Sequence, residues 1–154
     1  MIKINGEIVE VNKFPDGTPR INLDTTDIEE RKYNNCSYIF IEWFYESNDE
    51  LFYLLLIKRH LEKYFMNMAY FLFMPYVSNG RMDRTKHDYE VFTLKYFCDF
   101  INSLNFEVVY ILDAHSDVST ALLNNCIHLN PKEYIEEAIK SLPENLVLYF
   151  PDAG

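Results

Sequence analysis

Three runs of apolar, β-branched and aromatic residues, 37–44 (SYIFIEWF), 69–75 (AYFLFMP) and 108–112 (VVYIL), are separated by stretches whose apolar residues recur at helical spacing. Such alternation marks βαβ units, so the chain is expected to form a largely parallel sheet joined by crossover helices. The first helix begins after Asn48-Asp49, which offer N-cap chemistry, and runs to about Lys63. Leu51, Leu54, Leu55, Ile57 and Leu61 make one broad apolar face there, with Lys58 as its exception. A second helical pattern spans 90–104 and carries Phe92, Tyr96, Phe97, Phe100 and Ile101. Between them, 77–88 is polar and reads as a loop at a strand end. Asn5-Gly6 predicts a type I′ turn between two short strands within 1–11. Residues 116–124 make a short helix, Pro131 opens another over 132–141, and 146–150 is the last strand.

Composition sets the class. A chain of 154 residues that is 49% hydrophobic holds one domain with an ample core. The formal charge of −10 argues against nucleic acid as a partner, because a phosphate-backbone surface needs clustered Lys and Arg. Cys36, Cys98 and Cys126 are odd in number and show no paired spacing, which suggests neither a disulfide framework nor a zinc site and points to a reducing, cytoplasmic compartment. No basic segment followed by an apolar stretch opens the chain, and the longest apolar run, 66–77, is too short to span a bilayer, so neither secretion nor a membrane is expected.

Strands of a parallel sheet deliver polar groups to one rim, where α/β folds bind ligands. Four segments stand at such ends or turns: Phe14-Pro15-Asp16-Gly17-Thr18, Gly80-Arg81-Met82-Asp83-Arg84-Thr85-Lys86, Asp113-Ala114-His115-Ser116 and Pro151-Asp152-Ala153-Gly154. Arginines hold phosphate oxygens, carboxylates and an imidazole hold a divalent ion directly or through water, and an aromatic ring stacks on a base. The mix suits a phosphorylated ligand with magnesium. Each segment also has a plain structural reading: a solvated turn with local ion pairs for 81–86, a histidine packed beneath the rim for His115, an ordinary turn for 14–17, and a strand end for Asp152. His60, His87 and His128 stand in no motif and receive no role.

Taken in order, these segments, together with Asn48-Asp49 before its leucine-rich helix, Pro75-Tyr76 before the arginine loop and Phe92-Thr93-Leu94-Lys95, resemble the N-terminal half of ribose-phosphate pyrophosphokinase, the phosphoribosyl pyrophosphate synthetase family, in its compact phage and bacterial form. The resemblance implies a three-layer, phosphoribosyltransferase-like α/β domain over 1–154, without the C-terminal domain that binds ribose 5-phosphate. It further implies that Phe14 and Asp16 contact the adenine and ribose of ATP in a neighbouring subunit, that Arg81 and Asp83 belong to the ATP-binding segment, and that His115 and Asp152 position Mg2+ on the ATP phosphates. Thr18 and Met82 depart from the family's Glu and Gln. No Gly- and Thr-rich phosphate loop for the acceptor is present; the four glycines are Gly6, Gly17, Gly80 and Gly154. The chain alone is therefore expected to be inactive. Alternatives implied by the same resemblance are a non-catalytic assembly partner of a synthetase, or half of an enzyme that pyrophosphorylates ADP-ribose. Twelve tyrosines and twelve phenylalanines, more than a small core hides, point to a homo-oligomer.

Overall fold

The computed structural model describes residues 1–33, 37–112 and 114–142, and for 27 and 31–33 the backbone alone. In chain order the elements are β1 (Ile2–Ile4), β2 (Glu7–Ile8), β3 (Glu10–Lys13), β4 (Pro19–Asn22), α1 (Thr26–Tyr33), β5 (Tyr38–Trp43), α2 (Asp49–Tyr64), β6 (Ala69–Met74), α3 (Thr93–Ser103), β7 (Val108–Leu112), α4 (Asp117–Leu122), β8 (Cys126–Leu129) and α5 (Lys132–Lys140). Six strands form one sheet in the order β2-β1-β5-β6-β7-β8, with β5 to β8 parallel and β1 antiparallel to both of its neighbours. This is the mainly parallel α/β architecture that the alternating runs predict. Asn5 and Gly6 both have positive φ, 50° and 92°, as a type I′ turn requires between β1 and β2. The expected strand at 146–150 lies outside the described residues.

Because β5, β6, β7 and β8 follow one another in space as in sequence, right-handed crossovers place α2, α3 and α4 on one face of the sheet. The side-chain contacts agree. On that face Ile39, Ile41, Trp43, Tyr70, Leu72, Met74, Val109 and Ile111 are buried in one cluster with Leu54, Ile57 and Leu61 of α2 and Leu94, Phe97, Cys98 and Ile101 of α3. The Trp43 and Phe97 rings lie 6.1 Å apart, which fixes α3 over the end of β5. Tyr96, expected on the apolar stripe of α3, faces solvent.

The opposite face is unusual. Tyr38, Phe40, Phe71, Phe73 and Tyr110 alternate with the core residues along their strands and stand apart from the core cluster; Tyr38–Phe71, Phe71–Tyr110 and Phe40–Tyr110 are tilted aromatic pairs, Tyr38 is exposed and the other four residues are half-buried. Phe44 closes on Phe73 in an edge-on pair, with Lys3 over its ring. No residue of α5 is buried, although Ile135, Ala138, Ile139 and Leu142 fall on one side of it.

Two local expectations change. Asn48 occupies the N-cap position of α2 in helical conformation and makes no side-chain cap; its Oδ1 accepts the Tyr45 hydroxyl instead, at 2.8 Å. Glu50 Oε2 accepts the backbone N–H of Glu46, ahead of the helix, at 2.8 Å, while the first-turn N–H groups of Glu50 and Leu51 turn back to Ser47 O and Asn48 O. Lys58 is not an outward exception to its helix face. It is 1% exposed, with Nζ 4.0 Å from the Tyr70 ring centroid and 2.6 Å from Glu62 Oε1. An aromatic box and one carboxylate replace the water that a lysine normally keeps.

Candidate ligand rim and its fold family

The parallel strands β5, β6 and β7 end on one side of the sheet, so the chain after each of them lies along one rim. After β5, residues 44–48 are tied down by Glu50, which also accepts the Trp43 indole N–H at 3.0 Å and pairs with the Met1 ammonium. The Tyr45 ring forms a tilted pair at 5.6 Å with the exposed Tyr76, which follows β6.

The long segment after β6 turns twice. Gly80 N–H donates to Val77 O at 3.2 Å and Met82 N–H to Asn79 O at 2.9 Å, with Asn79 at φ 64°. These turns sink Ser78 and Asp83 while leaving Arg81 in solvent. The Asp83 carboxylate takes a two-pronged ion pair from Arg84, at 2.8 and 3.3 Å. That guanidinium first, and the nearby Ser116 hydroxyl second, hold the Asp83 carboxyl below its usual range. Arg81 makes no hydrogen bond or ion pair within the described residues, so its guanidinium is free for a ligand.

The segment after β7 meets this loop. A Cβ added to Gly80 would stand 3.5 Å from His115 Cβ and 3.0 Å from Val77 O. Ser116, at the N-cap position of α4, makes no side-chain cap; its buried Oγ faces Asp83 closely enough to lower that carboxyl without closing a full hydrogen bond. His115 remains exposed between these contacts. From the far side, Ala114 N–H donates to His128 Nε2 of β8 at 3.1 Å. Residues 114–116 are thus held between the loop after β6 and strand β8.

The rim brings Arg81, Asp83, His115 and Ser116 into one neighbourhood. Phe14 and Asp16 stand elsewhere, at the tip of the β3–β4 hairpin. There Gly17, at φ 85°, donates to Phe14 O, and Asp16 Oδ1 accepts the Thr18 N–H at 2.9 Å, which lowers the Asp16 carboxyl. Phe14 is 50% exposed, and among the described residues no contact joins either side chain to the rim. The hairpin leans on α2 through the Lys13–Asp49 ion pair at 2.7 Å and across a cleft of about 250 Å³ lined by Ile21, Leu56 and His60. Asp113 and Asp152 lie outside the described residues. Among the described residues no three His, Cys, Asp or Glu groups are placed to hold a metal. With Asp83 engaged by Arg84, His115 is the exposed imidazole in this part of the rim among the described residues. Cys98 is a free, buried thiol pushed up to about 12 by burial first, which makes it inert. No helix among the described residues is long and apolar enough to cross a membrane.

No family model matches the chain, and no curated protein does. Among solved structures, the crystal structure of phosphoribosylpyrophosphate synthetase from Mycobacterium smegmatis matches with a TM-score of 0.65 over 86% of this chain, at 13% sequence identity. The fold is phosphoribosyltransferase-like. This domain spans 43% of that synthetase chain. At such identity the likeness concerns the path of the backbone, and the site chemistry has to be argued from the residues of this phosphoribosyltransferase-like domain themselves.

Sequence reasoning passed over His128, Gly80 as a packing residue, and Glu50. His128 lies on a four-residue strand with a half-exposed pattern, too short to show a period. Gly80→Ala tests the contact between the two loops. The new Cβ meets a backbone carbonyl, which yields less easily than a side chain. The variant is expected to lose about 1–2 kcal/mol in urea unfolding, and the His115 imidazole resonances should shift with it.

Proposed function

We propose that this chain is the ATP-binding part of a ribose-phosphate pyrophosphokinase-like enzyme, which transfers diphosphate from ATP to the anomeric hydroxyl of ribose 5-phosphate. The observation that carries this reading is the meeting of the 77–84 loop with residues 114–116 through Gly80, His115, Asp83 and Ser116, at the ligand-binding rim of a phosphoribosyltransferase-like fold. In this reading Arg81 binds the polyphosphate, and Asp83 positions the loop by taking Arg84. His115 and Asp152 hold water or the ion at the phosphates. Magnesium, when bound with ATP, offsets charge that builds on the diphosphate in transfer. Phe14 and Asp16, at the hairpin tip, serve the nucleotide of a neighbouring subunit in a homo-oligomer. In this reading the ribose 5-phosphate site lies in a further domain.

Calorimetric titration with ATP and magnesium tests the reading. The chain is expected to bind the complex, and Arg81→Ala to weaken it by about tenfold, as for loss of a charge-assisted phosphate contact. Release of AMP on addition of ribose 5-phosphate should be absent. Failure to bind ATP with magnesium at millimolar concentration, or equal affinity in Arg81→Ala, would reject the assignment.

A second reading, an assembly partner without catalysis, is favoured by the aromatic sheet face and the unburied apolar side of α5. Both are surfaces suited to another polypeptide. Its distinguishing result is stable association with a complete synthetase by a chain that ignores ATP.

A further inference from the structure

We infer that His128 is a positioning residue for the nucleotide rim: its neutral imidazole holds the Ala114 amide and so sets where His115 projects. The inference rests on the nucleotide reading above. β7 ends its ladder against β8 at Leu112, paired with Leu129, and His128 pairs with Ile111 one step earlier. Ala114 lies two residues past the last paired position, where no strand backbone accepts its N–H. The His128 side chain reaches over and takes that proton donor at 3.1 Å. An accepting Nε2 must be unprotonated, so the ring proton sits on Nδ1.

The other side of residues 114–116 is backed by Gly80 against His115 Cβ and by Asp83 facing Ser116. His115 is the residue between these two supports, and it is the one whose side chain remains open to solvent. Removing one support is expected to leave the fold intact, because His128 is exposed and β8 is the outermost strand among the described residues. It does free the peptide that carries His115. The consequence is a change in ligand affinity larger than any change in stability.

The experiment compares His128→Leu with His128→Gln, whose side-chain oxygen can still accept the Ala114 amide. Two quantities are read: the Ala114 backbone amide resonance and its hydrogen-exchange protection, and the affinity for ATP with magnesium. The expected result is loss of the hydrogen-bonded amide shift and about a five- to tenfold weaker affinity in His128→Leu, as one neutral hydrogen bond permits. His128→Gln should recover most of both, with melting temperatures of the three proteins within a few degrees. An unchanged Ala114 amide in His128→Leu would overturn the clamp, and equal weakening in both variants would reduce His128 to strand packing. If the unsubstituted chain binds no ATP, the nucleotide role falls with the functional reading, while the amide resonances still decide whether the clamp exists.

Discussion

Glu50→Leu is expected to lower the melting temperature by about 6–12 °C, the shift that about 3 kcal/mol produces in a domain of this size. The carboxylate is 6% exposed and gathers donors from three directions: the Trp43 indole, the Glu46 backbone and the Met1 ammonium. Leucine fills the space but leaves the indole and the backbone N–H without acceptors and the ammonium without its buried partner. Each buried orphan costs about 1–3 kcal/mol. Glu50→Gln keeps an acceptor for the indole and loses the charge, so about half the effect is expected. Differential scanning calorimetry separates the two, and equal melting temperatures for Glu50→Leu and the parent would show that these bonds contribute nothing.

The same group shapes the acid limb of stability. Burial alone pushes the Glu50 carboxyl up, but the bonds from the ammonium, Trp43 and Glu46 outweigh it and hold the carboxyl below its ordinary value of 4.5. A carboxyl depressed in the folded state binds fewer protons than in the unfolded chain. Its contribution is therefore complete above the ordinary value and drains away as pH falls through the depressed one. Glu50→Gln should show a shallower loss of stability below pH 4.5 than the parent protein. Because Glu50 also fixes 46–47 after β5, this acid sensitivity reaches the ligand rim.

Much of the scaffold could be read from the residues because hydrophobic period and strand length agree there. β5, β6 and β7 announce themselves by unbroken apolar and aromatic runs, and α2 and α3 by leucines and phenylalanines at helical spacing. β8, α1 and the β3–β4 hairpin stayed hidden: short, polar pieces carry too few buried residues to imprint a pattern, and their pairing is set by tertiary contacts. The rim was legible as a set of motifs, while its internal wiring was not. That Asp83 turns inward to Arg84, or that His128 reaches Ala114, depends on loop geometry that no periodicity encodes. Lys58 shows the same limit from inside the core, since a lysine on an apolar face has the same sequence signature whether it extends to water or folds into an aromatic box.

For Lys58 the two ends of the ion pair are expected to respond unequally. Lys58→Met should leave stability unchanged or raise it by about 1 kcal/mol, because methionine fills the box between Tyr70 and Phe106 without a charge to desolvate. Glu62→Ala should cost about 2 kcal/mol, less than for a fully buried pair since Glu62 is 30% exposed, because it strands the ammonium. Urea unfolding of both singles and the double variant gives the coupling, and a larger loss in Lys58→Met than in Glu62→Ala would contradict the argument. Alkaline pH provides a second check. Burial first pushes the Lys58 pKa below 10.5, with Glu62 opposing it, so the unfolded chain binds more protons between the depressed value and 10.5 and stability rises with pH across that window. Tyr70, whose hydroxyl donates to Phe65 O at 3.1 Å, is pushed up to about 12 by burial first and Glu62 second. There the folded chain keeps its proton longer, and stability falls from pH 10 towards 12. Lys58→Met should therefore lose the rise and keep the fall, leaving a stability profile that only declines on the alkaline side.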